Sequence, residues 1–120
     1  MIIVGHMAKR NPQWLHFKDN PDCTMIFQGG HTYITPTWYR SGRDVPTWNY
    51  AIAHLYGKIE VVELYDEQIE ILKKLTLHFE RDSINPWEFS LPEDLVNESA
   101  LTSVIVSFRF KVEKIEAYLE

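Results

Sequence analysis

Cysteine is nearly missing from this chain of 120 residues, where Cys23 stands alone. A lone cysteine excludes an internal disulfide framework and a Cys₄ zinc site, and it fits a reducing, cytoplasmic setting. Long hydrophobic runs are missing as well: nothing reaches the roughly 18 consecutive apolar residues of a membrane span. Positive charge is in deficit, with twelve Lys and Arg against seventeen Asp and Glu and a net charge of −5. That balance opposes unspecific attraction to DNA phosphates or to an anionic membrane, so direct DNA binding is disfavoured. Met1 to Ala8 lacks the charged start and small-residue cleavage site of a signal peptide. Repeats, low-complexity tracts, a Walker loop, a Rossmann glycine pattern and a Ser-centred elbow are all absent. No pair among His6, His16, His31, His54 and His78 has the spacing of a helical metal site.

What is present is ordinary in amount and uneven in placement. Hydrophobic residues make up 45% and charged residues 24%, the composition of a globular domain. A chain of this size can bury roughly two-thirds of its unfolded surface, so one domain over residues 1–120 is expected. Trp38, Tyr39, Trp48 and Tyr50 crowd into one short stretch, interleaved with Thr35, Pro36, Thr37, Pro46 and Thr47. Function is to be sought there.

The pattern along the chain is rich in strands. Met1 to Ala8 reads as a mostly buried strand. Asn11 followed by Pro12 signals a helix start, with the helix running to about Lys18. Cys23 to Gln28 reads as a strand broken by Gly29-Gly30, with His31 to Thr35 resuming it and Pro36 ending it. Arg40 to Asp44 forms an exposed polar loop. Thr47 to Leu64 has strand composition throughout, with Gly57 as a bulge or bend. Asp66 is placed to cap a helix to about Arg81, whose apolar line is Ile69, Leu72, Leu75, Thr76 and Phe79. Pro92 opens a further helix to about Leu101, and Val104 to Glu113 alternates as a strand buried on one face. The expected fold class is mainly β, a barrel or strongly curved sheet with peripheral helices.

Two places offer binding chemistry. Lys9 and Arg10 stand just before a helix start, where backbone amides and the dipole favour an anion; solvated strand-end charges are the plain alternative. At the start of the long strand Trp48 and Tyr50 fall on one face and Asn49 on the other, and the aromatic face suits either stacking on a planar ring or cross-strand packing. Cys23 sits in an apolar strand without an activating cation, which disfavours a nucleophile.

Three ordered segments carry a family resemblance: Gly5-His6-Met7-Ala8-Lys9-Arg10-Asn11-Pro12-Gln13-Trp14, then Ile26 through Tyr39, then Val45-Pro46-Thr47-Trp48-Asn49-Tyr50. Together with His54 to Gly57, Leu75, Thr76, Phe79, Glu80, Pro86 and Trp87, they resemble the PaiB family over nearly the whole chain. The resemblance implies an FMN-binding split barrel related to pyridoxamine 5′-phosphate oxidases, usually a bacterial homodimer with FMN at the subunit interface. Family members are described as negative transcriptional regulators. The resemblance also implies that Ala8, Lys9, Arg10 and Asn11 serve the FMN phosphate, and that Gln28, Thr47, Trp48 and Asn49 approach the ring. Gly30 stands where the family usually has proline, and Thr35 and Thr37 where it has serines. The family's N-terminal portion of roughly fifty to sixty residues, about two or three strands, has no counterpart here. Nor has the Lys-Leu-Ser-Gln-Asn segment that follows its last strand. The barrel is therefore expected to be incomplete in one chain and covered by an intertwined dimer.

The leading expectation is an FMN-binding PaiB-like protein, either a regulator or a flavin-dependent redox protein. The alternative is a flavin-free interaction module that dimerises and binds a protein or small ligand. A third reading makes the aromatic cluster plain core.

Overall fold

In the computed structural model, which describes residues 1–41 and 44–119, the chain runs through four strands and two α-helices. Strand β1 (Ile2–Ala8) is followed by a 3₁₀ turn (Pro12–His16), β2 (Asp22–Ile34), a second 3₁₀ turn (Pro36–Trp38) and β3 (Thr47–Val62). Helix α1 (Tyr65–Glu80), a third turn (Glu93–Leu95), helix α2 (Glu98–Val104) and strand β4 (Ile105–Leu119) complete it. The strands form one sheet in the order β1-β4-β3-β2. β1 pairs antiparallel with β4, from Ile2 opposite Lys111 to Ala8 opposite Ile105. The fold is mainly β, as its sequence pattern requires.

Two compact units divide these elements. The first holds Met1–Asp22 with Lys58–Lys111, the second Cys23–Gly57 with the chain from Val112 onward. The first unit carries the core: Phe17, Ile59, Val62, Ile71, Leu101, Val106 and Phe110 are buried there, Phe110 completely. β4 lies between β1 and β3, so both of its edges are paired, and its two faces each carry a buried side chain, Ser107 on one and Phe110 on the other. The expected one-face burial of this strand is thereby corrected. β1 sits at the end of the sheet order, and none of its residues is fully buried, against the expectation of a mostly buried strand. An Arg109–Glu67 ion pair of 3.3 Å joins β4 to the first turn of α1.

The helices depart from expectation at their ends. Leu64, not Asp66, is the N-cap of α1; Asp66 lies in the first turn, where its charge meets the positive end of the helix dipole. The buried line of α1 is Gln68 and Ile71, while Phe79 is 77% exposed. The helix expected from Pro92 to Leu101 is two pieces, because Asn97 caps a new helix by accepting from the Ala100 amide at 2.8 Å. The first predicted helix is only the five-residue turn Pro12–His16.

In the second unit the strands are longer than their sequence signals. β2 passes through Gly29-Gly30 without a break. A Cβ on Gly29 would stand 3.0 Å from the Ala51 Cβ, so the glycine there serves close approach and not a turn. β3 is continuous through Gly57, where the division between the units falls. Only Leu55 is fully buried among this unit's described residues. The Arg40–Asp44 loop expected from sequence includes Gly42 and Arg43, which lie outside the described residues.

Candidate functional site

The residues singled out in the sequence fall into two groups, one in each unit. In the first unit, the end of β1 is fixed by its backbone. The Lys9 amide donates to the Val104 carbonyl at 2.9 Å, and the Trp14 indole N–H donates to the Lys9 carbonyl at 2.9 Å. The Lys9 ammonium stands 4.7 Å from the centre of the Trp14 ring, a cation–π contact. Asn11 donates its amide to the Ala8 carbonyl at 3.0 Å, and its side chain accepts from the Gln13 amide at 3.1 Å. Pro12 has no N–H to give. The amides expected to cradle an anion are thus largely engaged, and a five-residue 3₁₀ turn has little dipole. Arg10 is different: it is exposed and has no side-chain partner among the described residues. Any anion at this turn is held by side-chain charge.

In the second unit, Gln28 on β2 and Thr47, Trp48 and Asn49 at the start of β3 are all exposed, on strands that neighbour each other in the sheet. The Gln28 and Asn49 amide groups have no side-chain partner among the described residues. Trp48 is 48% exposed, and Trp38 more so at 67%. The aromatic cluster is therefore surface and not core. One neighbour escaped sequence reasoning. The His31 imidazole stacks on the Trp48 indole with centroids 5.3 Å apart and planes inclined by 21°. Nothing in spacing along the chain signals this contact, which arises across the sheet.

Other groups in the same unit are spent on each other. Tyr56 and Tyr118 donate to one oxygen of Glu116, at 3.2 and 3.1 Å, while the Lys114 ammonium meets the other at 2.8 Å. Lys114 first, then the two phenols, hold the Glu116 carboxyl below the usual carboxylate range. Partial burial pushes the Cys23 thiol up, which opposes thiolate chemistry. No group of three or more metal-ligating side chains occurs among the described residues. No helix there is long and apolar enough to cross a membrane.

A cavity of about 610 Å³ opens in the first unit along the C-terminal half of α1, lined by Leu77, Pro86, Trp87 and Phe89 among others. The Glu80 carboxylate holds its wall in place by accepting the Trp87 amide at 3.0 Å. None of the residues predicted for a site lines it.

Comparison with known proteins gives these surfaces a context. Residues 1–114 match the family described as "Putative FMN-binding domain". The chain is 44% identical over 117 residues to "Protease synthase and sporulation protein PAI 2" of Bacillus subtilis, covering 96% of this chain and 54% of that protein. It is 33% identical over 125 residues to an uncharacterized protein of Emericella nidulans, covering 74% of this chain and 47% of that protein. An uncharacterized protein of Saccharomyces cerevisiae is 29% identical over 79 residues, covering 62% and 47%. The relatives are thus not confined to bacteria, and the chain spans about half the length of the curated relatives it matches. Among solved structures, the "putative 5-nitroimidazole antibiotic resistance protein" of Bacteroides thetaiotaomicron shares the fold. The TM-score is 0.66 at 15% identity, over 97% of this chain and 60% of that one. That likeness makes the fold split-barrel-like.

Proposed function

The chain belongs to the PaiB-like family of FMN-binding domains that matches residues 1–114, and on that premise we propose that residues 1–120 act as a single split-barrel domain that binds FMN as a homodimer. The observation that carries the reading is the exposed Trp48 indole on β3, with the unpartnered Gln28 amide exposed on neighbouring β2, while Asn49 alternates to the opposite face of β3. A flavin presents a flat ring with a hydrogen-bonding edge, and binding sites meet such groups with an aromatic surface and a few polar side chains. In the first unit, taken by itself, the unpaired Arg10 guanidinium offers a cation for an anionic group such as a phosphate, with Lys9 beside it and Ala8 and Asn11 shaping the turn. Thr47 adds a hydroxyl next to Trp48. Each unit by itself thus offers side chains of a kind that FMN requires, a cation in the first and an aromatic surface with polar groups in the second. When bound, FMN supplies electron transfer, and the part of these side chains is to bind and orient it.

Exposed apolar side chains in the second unit, among them Ile26, Phe27, Tyr33, Trp38 and Ile115, support the homodimer, since large bare apolar patches mark contact surfaces. The Bacillus subtilis relative's name ties that protein to protease synthesis and sporulation. For this chain the reading is a cytoplasmic regulator, or a flavin-dependent redox protein, that contacts DNA at most indirectly given its net charge of −5. The flavin-free alternative draws on the same apolar side chains, which a partner covers without any cofactor.

The test is an absorbance spectrum of gently purified protein, repeated after adding FMN and removing the excess, with molar mass in solution measured on both samples. Flavin bands that stay with the protein support the reading. Their absence after reconstitution, with a dimeric mass, favours the flavin-free module, and a monomeric mass defeats the homodimer.

A further inference from the structure

We infer that His31 is a positioning residue for Trp48, fixing the indole as a preorganised platform for the flavin ring. The inference rests on the FMN reading above. An exposed tryptophan ordinarily samples several rotamers, and each must be frozen out when a planar ligand stacks on it. Here one indole face is taken by the imidazole at 5.3 Å and 21°, an offset stack that favours a single ring orientation.

The imidazole has no hydrogen-bond or ion-pair partner among the described residues. Its aromatic contact is the Trp48 ring. β2 carries His31 and β3 carries Trp48, neighbours in the sheet, so the brace is anchored on regular backbone and not on a loop. No other aromatic ring pairs with Trp48 among the described residues, so removing His31 frees the indole.

His31→Ala and His31→Phe test this, the second keeping a ring in place of the imidazole. FMN affinity is read by quenching of flavin fluorescence, stability by thermal melting without FMN, and the indole itself by fluorine NMR of 5-fluorotryptophan-labelled protein. The chain has four tryptophans, and the Trp48 resonance is assigned by its loss in Trp48→Phe.

We expect His31→Ala to weaken FMN binding by roughly 3- to 10-fold, the cost of freezing one freed side chain on binding, with a melting temperature lowered by a few degrees at most for the lost aromatic pair and a shifted, narrowed Trp48 resonance. His31→Phe restores affinity. Unchanged affinity in His31→Ala, or a His31→Phe as weak as His31→Ala, overturns the inference. If the wild-type chain takes up no FMN, the flavin reading fails, and the fluorine resonance then judges the brace alone: a Trp48 signal indifferent to His31→Ala overturns it.

Discussion

Gly29 and Gly30 are neighbours in β2, and the structure requires opposite outcomes when each is replaced by alanine. Neither has a positive φ, so an L-residue fits either backbone without strain. Nothing lies within 4 Å of a Cβ built on Gly30. Glycine inside a strand costs about 0.5–1 kcal/mol relative to alanine through unfolded-chain entropy. Gly30→Ala therefore recovers that amount, and for a chain of this length it raises the melting temperature by roughly 2–4 °C. On Gly29 the new methyl would stand 3.0 Å from the Ala51 Cβ, which is fixed to the β3 backbone and has no rotamer to yield. Overpacking of this kind costs about 1–3 kcal/mol, outweighing the entropic gain, so Gly29→Ala melts at or below the wild-type temperature. Thermal melts of the two variants beside wild type decide the matter. A Gly30→Ala that melts below wild type, or a Gly29→Ala that melts above it, refutes the reasoning from close approach.

Arg10→Ala should weaken FMN binding by about tenfold or more, the worth of a charge-assisted hydrogen bond, with an unchanged melting curve because the side chain is exposed and unpaired. Phe110→Ala should cost about 3–5 kcal/mol in denaturant titration, since its ring is fully buried at the centre of the sheet. Trp48→Ala should reduce FMN affinity far more than stability, the reverse of a core residue, because the indole is 48% exposed. Glu116 has its carboxyl lowered by Lys114 and the phenols of Tyr118 and Tyr56, so its stabilisation is present above the ordinary carboxylate pKa and is lost as pH falls through the depressed value. Melting temperatures of wild type and Glu116→Gln should therefore coincide at strongly acid pH, separate as pH rises from the depressed value, and keep a constant difference above the ordinary carboxylate range.

Much of the fold is written in local chemistry. Alternation from Val104 to Val112 finds β4, Asn11-Pro12 finds the first turn, and three- and four-residue spacing finds α1 to within two residues at its start and one at its end. Where local signals compete, the better hydrogen bond wins. Pro92 and Asn97 both offer helix starts, and Asn97 begins the α-helix because its side chain reaches the Ala100 amide, whereas Pro92 has no capping side chain. The far half of β4 is illegible for another reason. Beyond Glu113 none of its described residues is buried, and the Tyr56–Glu116 contact ties it across the unit from a residue 60 positions away.

The candidate site divides along the same line. Arg10 is legible because an unpaired cation beside a turn is a local property, and the structure leaves it exposed. Trp48 is legible as an aromatic in a Pro- and Thr-rich stretch, but whether it is core or surface depends on what the opposite strand lays upon it. His31 on β2 stacks on Trp48 of the neighbouring strand β3. The His31–Trp48 stack is a consequence of strand pairing, and a histidine read only against the metal-site spacings of its own chain neighbours gives no hint of it.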